Sequence, residues 1–109
     1  MRFNRLTDAE DERLSLLMEE CAEVIQIAAK VKRHGYASAN PDGDPSLINR
    51  ELLESEIGHV LHAVDRMTLV GDVGVRQIHA EKVRKADRIG RYLHHQHEDI
   101  ALRPTPEEP

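Results

Sequence analysis

The chain has 109 residues, 39% of them hydrophobic and 32% charged, with no Trp, one Phe and two Tyr. That length suits one small domain with a core of Leu, Val, Ile and Ala, so thin in a lone copy that burial between subunits is expected. A formal charge of −5 argues against a nucleic-acid partner, whose phosphates want a basic surface, and the single Cys21 excludes an internal disulfide and makes a reducing cytoplasm the expected compartment.

The elements follow in chain order. Met1 to Leu6 holds no long apolar run, so neither a signal peptide nor a membrane span is expected. Thr7-Asp8-Ala9-Glu10 reads as a capping box opening a helix that runs to about His34, where Gly35 offers a left-handed stop. Residues 35–45 are rich in Ser, Asn, Pro, Asp and Gly and read as a loop. Ser46 is the expected N-cap of a second helix reaching about Val70. After the tight Gly71-Asp72 connection, Asp72 is the expected cap of a third helix through roughly His95. No period-two strand pattern is present. The expected fold is all-α, an antiparallel bundle of three to four helices completed by homo-oligomerisation, with residues 1–101 as the domain and 102–109 as a disordered Pro/Glu tail.

The first helix carries an anomaly on its apolar stripe. At about 100° per residue, Leu16, Leu17, Glu20, Glu23, Val24 and Ile27 share one face. Two carboxylates do not belong on a core-facing stripe, because burying an unpaired charge costs several kcal/mol, on the order of a lost buried ion pair. A cation must meet them, and a spacing of three residues lets both reach one metal ion. Cys21 lies about 100° to the side and reads as a small buried hydrophobe rather than a nucleophile. The second helix repeats the anomaly, with Glu56 and His59 set among Leu52, Leu53, Val60, Ala63 and Met67. Two helices with the same defect point to one shared site.

The third helix supplies the opposite charge. Ile78, Lys82, Lys85, Ile89 and Tyr92 fall on one face, with Arg88 beside them. Ammonium and guanidinium groups are common partners of phosphate oxygens, so a carboxylate patch able to hold Mg²⁺ beside a Lys/Arg patch suits a polyphosphate. The bland alternative is a structural ion pair between Glu20 or Glu23 and Lys82 or Lys85. Glu19, Glu54, His62 and Asp65 lie off the stripes and are expected at the surface. His94, His95 and His97 read as a fraying helix end.

Leu16-Leu17-Met18-Glu19-Glu20-Cys21-Ala22-Glu23-Val24 resembles the Glu-Glu-x-x-Glu motif of MazG-like all-α nucleoside triphosphate pyrophosphatases. Leu53-Glu54-Ser55-Glu56-Ile57-Gly58-His59-Val60-Leu61 resembles their second motif, usually Glu-x-x-Asp, and Lys82-Val83-Arg84-Lys85-Ala86-Asp87-Arg88 resembles the basic segment that follows. The resemblance spans roughly residues 14–92 and is to the small single-domain type found in phages and bacteria. It implies hydrolysis of a (d)NTP to (d)NMP and pyrophosphate for nucleotide-pool control, in a cytoplasmic homodimer or homotetramer. It also implies Mg²⁺ or Mn²⁺ held by Glu20, Glu23, Glu56 and His59, with Lys82, Lys85 and Arg88 on the substrate. His59 stands where the family usually has Asp. Imidazole is a softer, neutral ligand, so the expected consequence is a preference for Mn²⁺, loss of one metal site, or weak activity. Two other functions fit the same residues: a di-iron or di-manganese carboxylate bundle, because Glu56-x-x-His59 is its ligand pair, and a non-catalytic nucleotide-binding relative. Nothing identifies the base; Asn4, His34 and Asn40 are candidate base contacts.

Overall fold

The computed structural model describes residues 3–96, and these form three helices with no strand, joined by turns and a single isolated bridge between Ala39 and Ile48. The expected Pro/Glu tail, residues 102–109, and His97 lie outside the described residues. The chain divides into two compact units, Met1–Asp72 and Val73–Pro109, each described here on its own.

In the first unit, helix α1 spans Asp8–His34. It starts where the sequence places it. The Thr7 hydroxyl accepts from the Glu10 amide at 3.1 Å, and the Glu10 carboxylate accepts from the Thr7 amide at 2.8 Å, so two otherwise unpaired N–H groups are satisfied reciprocally. It stops at Gly35, whose amide donates to the Val31 carbonyl at 2.7 Å. Gly35 has φ 87° and ψ 167°, an extended positive-φ conformation open essentially to glycine alone, rather than the left-handed helical stop expected.

Helix α2 spans Asn49–Leu69 and its entry differs from the expectation. Ser46 is not the cap, because its amide and hydroxyl are both taken by the Asp44 carboxylate, at 2.9 and 2.7 Å, in a local turn. The N-cap is Ile48, with no side-chain cap bond. The preceding loop supplies the acceptors instead: Asn49 N–H donates to the Ser38 carbonyl at 2.8 Å and Arg50 N–H to the Tyr36 carbonyl at 3.0 Å. The Asn49 side chain, buried at 5% exposure, donates to the Gly35 carbonyl, so one residue pins the end of α1 to the start of α2. The Arg50 guanidinium lies over the Tyr36 ring, 5.2 Å from its centre.

Helix α2 closes on Gly71, with φ 84°; the Gly71 amide donates to the Thr68 carbonyl and the Asp72 amide to the Met67 carbonyl, the two bonds of a Schellman stop. Asp72 therefore ends α2 and does not cap α3. Its carboxylate takes a two-pronged bond from the Arg13 guanidinium, at 2.6 and 3.1 Å, which ties the end of α2 to the beginning of α1. With Gly35 meeting Asn49 at one end and Arg13 meeting Asp72 at the other, α1 and α2 run antiparallel. Their shared core is small. Ala63 and Met67 are its buried apolar side chains, while Leu16, Leu17, Val24, Ile27, Leu52, Leu53 and Val60 are half-buried.

In the second unit, α3 spans Val75–Ile89, starting two residues later and ending six earlier than expected, with Gly74 at its N-cap and no side-chain cap. Tyr92 lies beyond its end and is 68% exposed, so it is not part of the helical stripe. Among the described residues no fourth helix is present. No helix among them is long and apolar enough to cross a membrane.

Candidate metal centre

The stripe on α1 and the stripe on α2 face each other, and the residues that broke the apolar pattern meet. Glu20, Glu23, Glu56 and His59 each offer a ligand-type atom, and these four atoms all lie within 4.8 Å of one another. The convergence follows from helix geometry: positions three apart on each helix sit one turn apart on the same side, and the antiparallel pairing lays the two turns together. The three carboxylates are half-buried, and the imidazole, 54% exposed at its side chain, marks the solvent edge.

The internal contacts leave the cluster short of positive charge. His59 Nδ1 lies 3.3 Å from both the Glu20 and the Glu56 Oε2 atoms. One ring nitrogen carries at most one proton, and its hydrogen-bond geometry is met toward Glu56. Glu20 Oε2 is therefore buried with no hydrogen-bond partner. The Glu23 carboxyl is pushed above its ordinary range, first by the hydrogen bond it shares with Glu56, then by desolvation and by the Glu56 charge; His59 and Glu20 pull it the other way. Two carboxyl groups pressed together, with a third oxygen buried beside them and lacking a donor, form a cluster that could hold a cation. Three carboxylate oxygens and one imidazole nitrogen are a donor set that could bind a divalent ion. The residues fit the group the sequence implies.

Lys82, Lys85 and Arg88 are exposed on α3, in the second unit. Within the first unit, not every sequence candidate joins the cluster. Glu19, Glu54, His62 and Asp65 are exposed, as their off-stripe angles dictate. Cys21 is also exposed and is not the buried hydrophobe expected, because α2 covers the Glu20 side of α1 and leaves the flank at Cys21 open. Asn4 is exposed near the start of the chain, whereas His34 and Asn40 line a cavity of about 310 Å³ at the α1–α2 loop, together with Lys30, Arg33 and Asn49. A second cavity of about 470 Å³ opens at the other end of the helix pair, lined by Glu12, Arg13, Leu16, His62, Leu69 and Val70 among others. Arg13 and Lys30 were not singled out by sequence, yet the signal was there: Arg13 is seven residues before Glu20 and Lys30 seven after Glu23, which returns each to the same stripe.

Fold and site together define an all-α chain whose first two helices build a carboxylate–imidazole cluster suited to a divalent cation. No family model matches the sequence, and neither a curated protein nor a solved structure matches it.

Proposed function

We propose that this chain is a metal-dependent nucleoside triphosphate pyrophosphohydrolase, cleaving a (d)NTP to (d)NMP and pyrophosphate in nucleotide-pool control, in the cytoplasm of a bacterium or phage-infected cell. The observation that carries the reading is the meeting of Glu20, Glu23, Glu56 and His59 around a buried oxygen with no donor. Those residues belong to the two segments that resemble the MazG-like motifs, and the resemblance supplies the reaction. In this reading Glu20, Glu23, Glu56 and His59 hold Mg²⁺ or Mn²⁺. The bound ion would supply positive charge for the phosphate oxygens and for acidifying a water. Water oxygen bonds to the α-phosphorus while the bond from that phosphorus to the α–β bridging oxygen breaks, and pyrophosphate leaves. Glu20, Glu23 and Glu56 are the carboxylates beside such an ion, and an oxygen among them left uncoordinated would take the proton from the attacking water. Lys82, Lys85 and Arg88 are the cations that the resemblance assigns to the phosphates.

The same reading includes a homodimer or homotetramer. A second copy is the occupant that fits the outer face of α1, where Met18 and Ile25 are 71% and 70% exposed on one stripe with Ala22, opposite the carboxylates. Two buried apolar side chains are too few for a stable lone helix pair, so a second copy would complete the core. Sedimentation showing a monomer at micromolar concentration would remove this part of the proposal.

The test is a panel of NTPs and dNTPs with Mg²⁺ or Mn²⁺, analysed for monophosphate plus pyrophosphate. Turnover of at least one substrate is expected, and Glu20→Gln or Glu56→Gln should abolish it. Near-normal rates in those variants would overturn the mechanism. The contact of His59 with Glu56 favours one second reading, a di-iron or di-manganese carboxylate bundle. Co-purifying iron with an oxo-bridged absorption band and no pyrophosphate release would select it. A nucleotide that raises the melting temperature without being consumed would instead indicate a non-catalytic binder.

A further inference from the structure

The cavity at the α1–α2 loop carries a charge pattern that the metal cluster does not explain. Its lining includes Lys30, Arg33 and His34, with Ser38, Asn40 and Asn49, and no carboxylate. Lys30 is half-buried, and neither Lys30 nor Arg33 forms an ion pair or side-chain hydrogen bond among the described residues. Cations in a last helical turn complement the helix dipole, which accounts for Lys32 and Arg33 wherever they point. It does not account for a half-buried Lys30 lining the same concave space.

The cavity is in line with the carboxylates. Lys30 is seven residues beyond Glu23 on α1, and Asn49 seven residues before Glu56 on α2. Seven residues advance a helix by about 10 Å and return it to within about 20° of the same face. The loop cavity therefore lies on the same side of the helix pair as the cluster, about two turns along. The cavity at the opposite end is different in character. Leu16, Leu69 and Val70 give it an apolar wall, Glu12 adds a carboxylate, and both of its guanidinium groups are engaged, Arg13 with Asp72 and Arg66 with His62. An anion suits the loop end, where no carboxylate lines the cavity.

We propose that the loop cavity is a phosphoryl-anion site in which Lys30 and Arg33 hold the pyrophosphate end of the substrate. As a statement about substrate this rests on the triphosphate-hydrolysis reading; as a statement about an anion site it stands on the cavity alone. Guanidinium and ammonium groups at one concave surface give charge-assisted bonds to several phosphate oxygens at once. Asn40, Asn49 and Ser38 complete the lining without a negative charge, with the Ser38 hydroxyl held by the His34 carbonyl and the Asn49 amide by the Gly35 carbonyl.

The test is calorimetric titration of inorganic pyrophosphate into the full chain with EDTA present, so that no divalent ion contributes. The expected result is salt-sensitive binding that weakens about tenfold or more in Lys30→Gln/Arg33→Gln. Lys30→Arg should retain binding, showing that the loss is one of charge and not of folding. Glu20→Gln should bind pyrophosphate at least as well as the unaltered chain. Equal affinity in Lys30→Gln/Arg33→Gln, or no binding by the unaltered chain, would overturn the proposal. So would a loss seen only in Lys82→Gln/Lys85→Gln. Pyrophosphate bound through Lys30 and Arg33 by a chain that hydrolyses no triphosphate would leave the anion site standing and refute the function proposed above.

Discussion

Glu23→Gln separates a metal site from a structural ion pair by the sign of its effect. If the carboxylates were stabilised by neighbouring cations, neutralising one would lower the melting temperature. Here Glu23 faces Glu56 and its carboxyl is held above the usual range, so at neutral pH its ionised form is a burden on the folded, metal-free chain. The isosteric amide removes that charge and can donate to Glu56. The variant should therefore melt higher than the unaltered chain without metal at pH 7. A raised folded-state value means that the Glu23 carboxyl favours folding when protonated, below the ordinary range, and that this is lost as pH rises. The gap between variant and parent should close as pH falls toward about 4, where the ordinary carboxyl protonates. Metal should reverse the order. A ligand at 100 times its dissociation constant that binds only the folded state stabilises it by about 2.7 kcal/mol. At about 4–8 °C per kcal/mol for a domain near this size, Mn²⁺ should raise the melting temperature by roughly 10–20 °C. Glu23→Gln should show a small fraction of that rise. Differential scanning fluorimetry with EDTA or Mn²⁺ reads both effects. A lower melting temperature for metal-free Glu23→Gln, or an undiminished Mn²⁺ shift, would refute the reasoning.

Other expectations use the same preparations. Thr7→Ala breaks the capping box of α1 and should cost about 1 kcal/mol, read as a drop of about 4–8 °C in melting temperature. Met67→Ala empties one of the two buried apolar positions and should cost about 2–5 kcal/mol, measured by urea unfolding. The Arg13 guanidinium holds the Asp72 carboxyl below the usual range. The stability this gives is fully present above the unfolded-state value of about 3.9 and is lost as pH falls through the lower folded-state value. Asp72→Asn should thus melt below the parent at pH 7 and converge with it once the medium is acidic enough to protonate the paired carboxylate. His59→Asp should raise Mg²⁺-supported turnover relative to Mn²⁺-supported turnover, since a carboxylate is the harder ligand.

The legible parts of this chain were those in which one short segment decides the outcome. Thr7 and Glu10 satisfy each other within four residues, and Gly35 ends the helix because its φ excludes most other residues. The carboxylate cluster was legible for a related reason: a helical period fixes which side chains share a face, and Glu20, Glu23, Glu56 and His59 violate two such faces in the same way. Helix starts that depend on tertiary partners were not legible. Ser46 looks like a cap, but Asp44 occupies it, and the first amides of α2 find their acceptors in the Tyr36 and Ser38 carbonyls, in a loop whose path no local pattern sets. Asp72 has the residue type of a cap and is instead held by Arg13, fifty-nine positions away. Cys21 shows the limit of the stripe argument, since an angle beside the stripe does not say how far the neighbouring helix reaches round. Nor does sequence show that His59 Nδ1 satisfies Glu56 and leaves the Glu20 oxygen without a donor.

Hydrolysis of the preferred triphosphate in ¹⁸O-labelled water, with Mn²⁺ present and products analysed by mass, tests the central claim most directly. The account predicts one labelled oxygen in the monophosphate, none in the pyrophosphate, and no labelled product from Glu20→Gln. Label in pyrophosphate or orthophosphate, or labelled monophosphate formed equally well by Glu20→Gln, would contradict it.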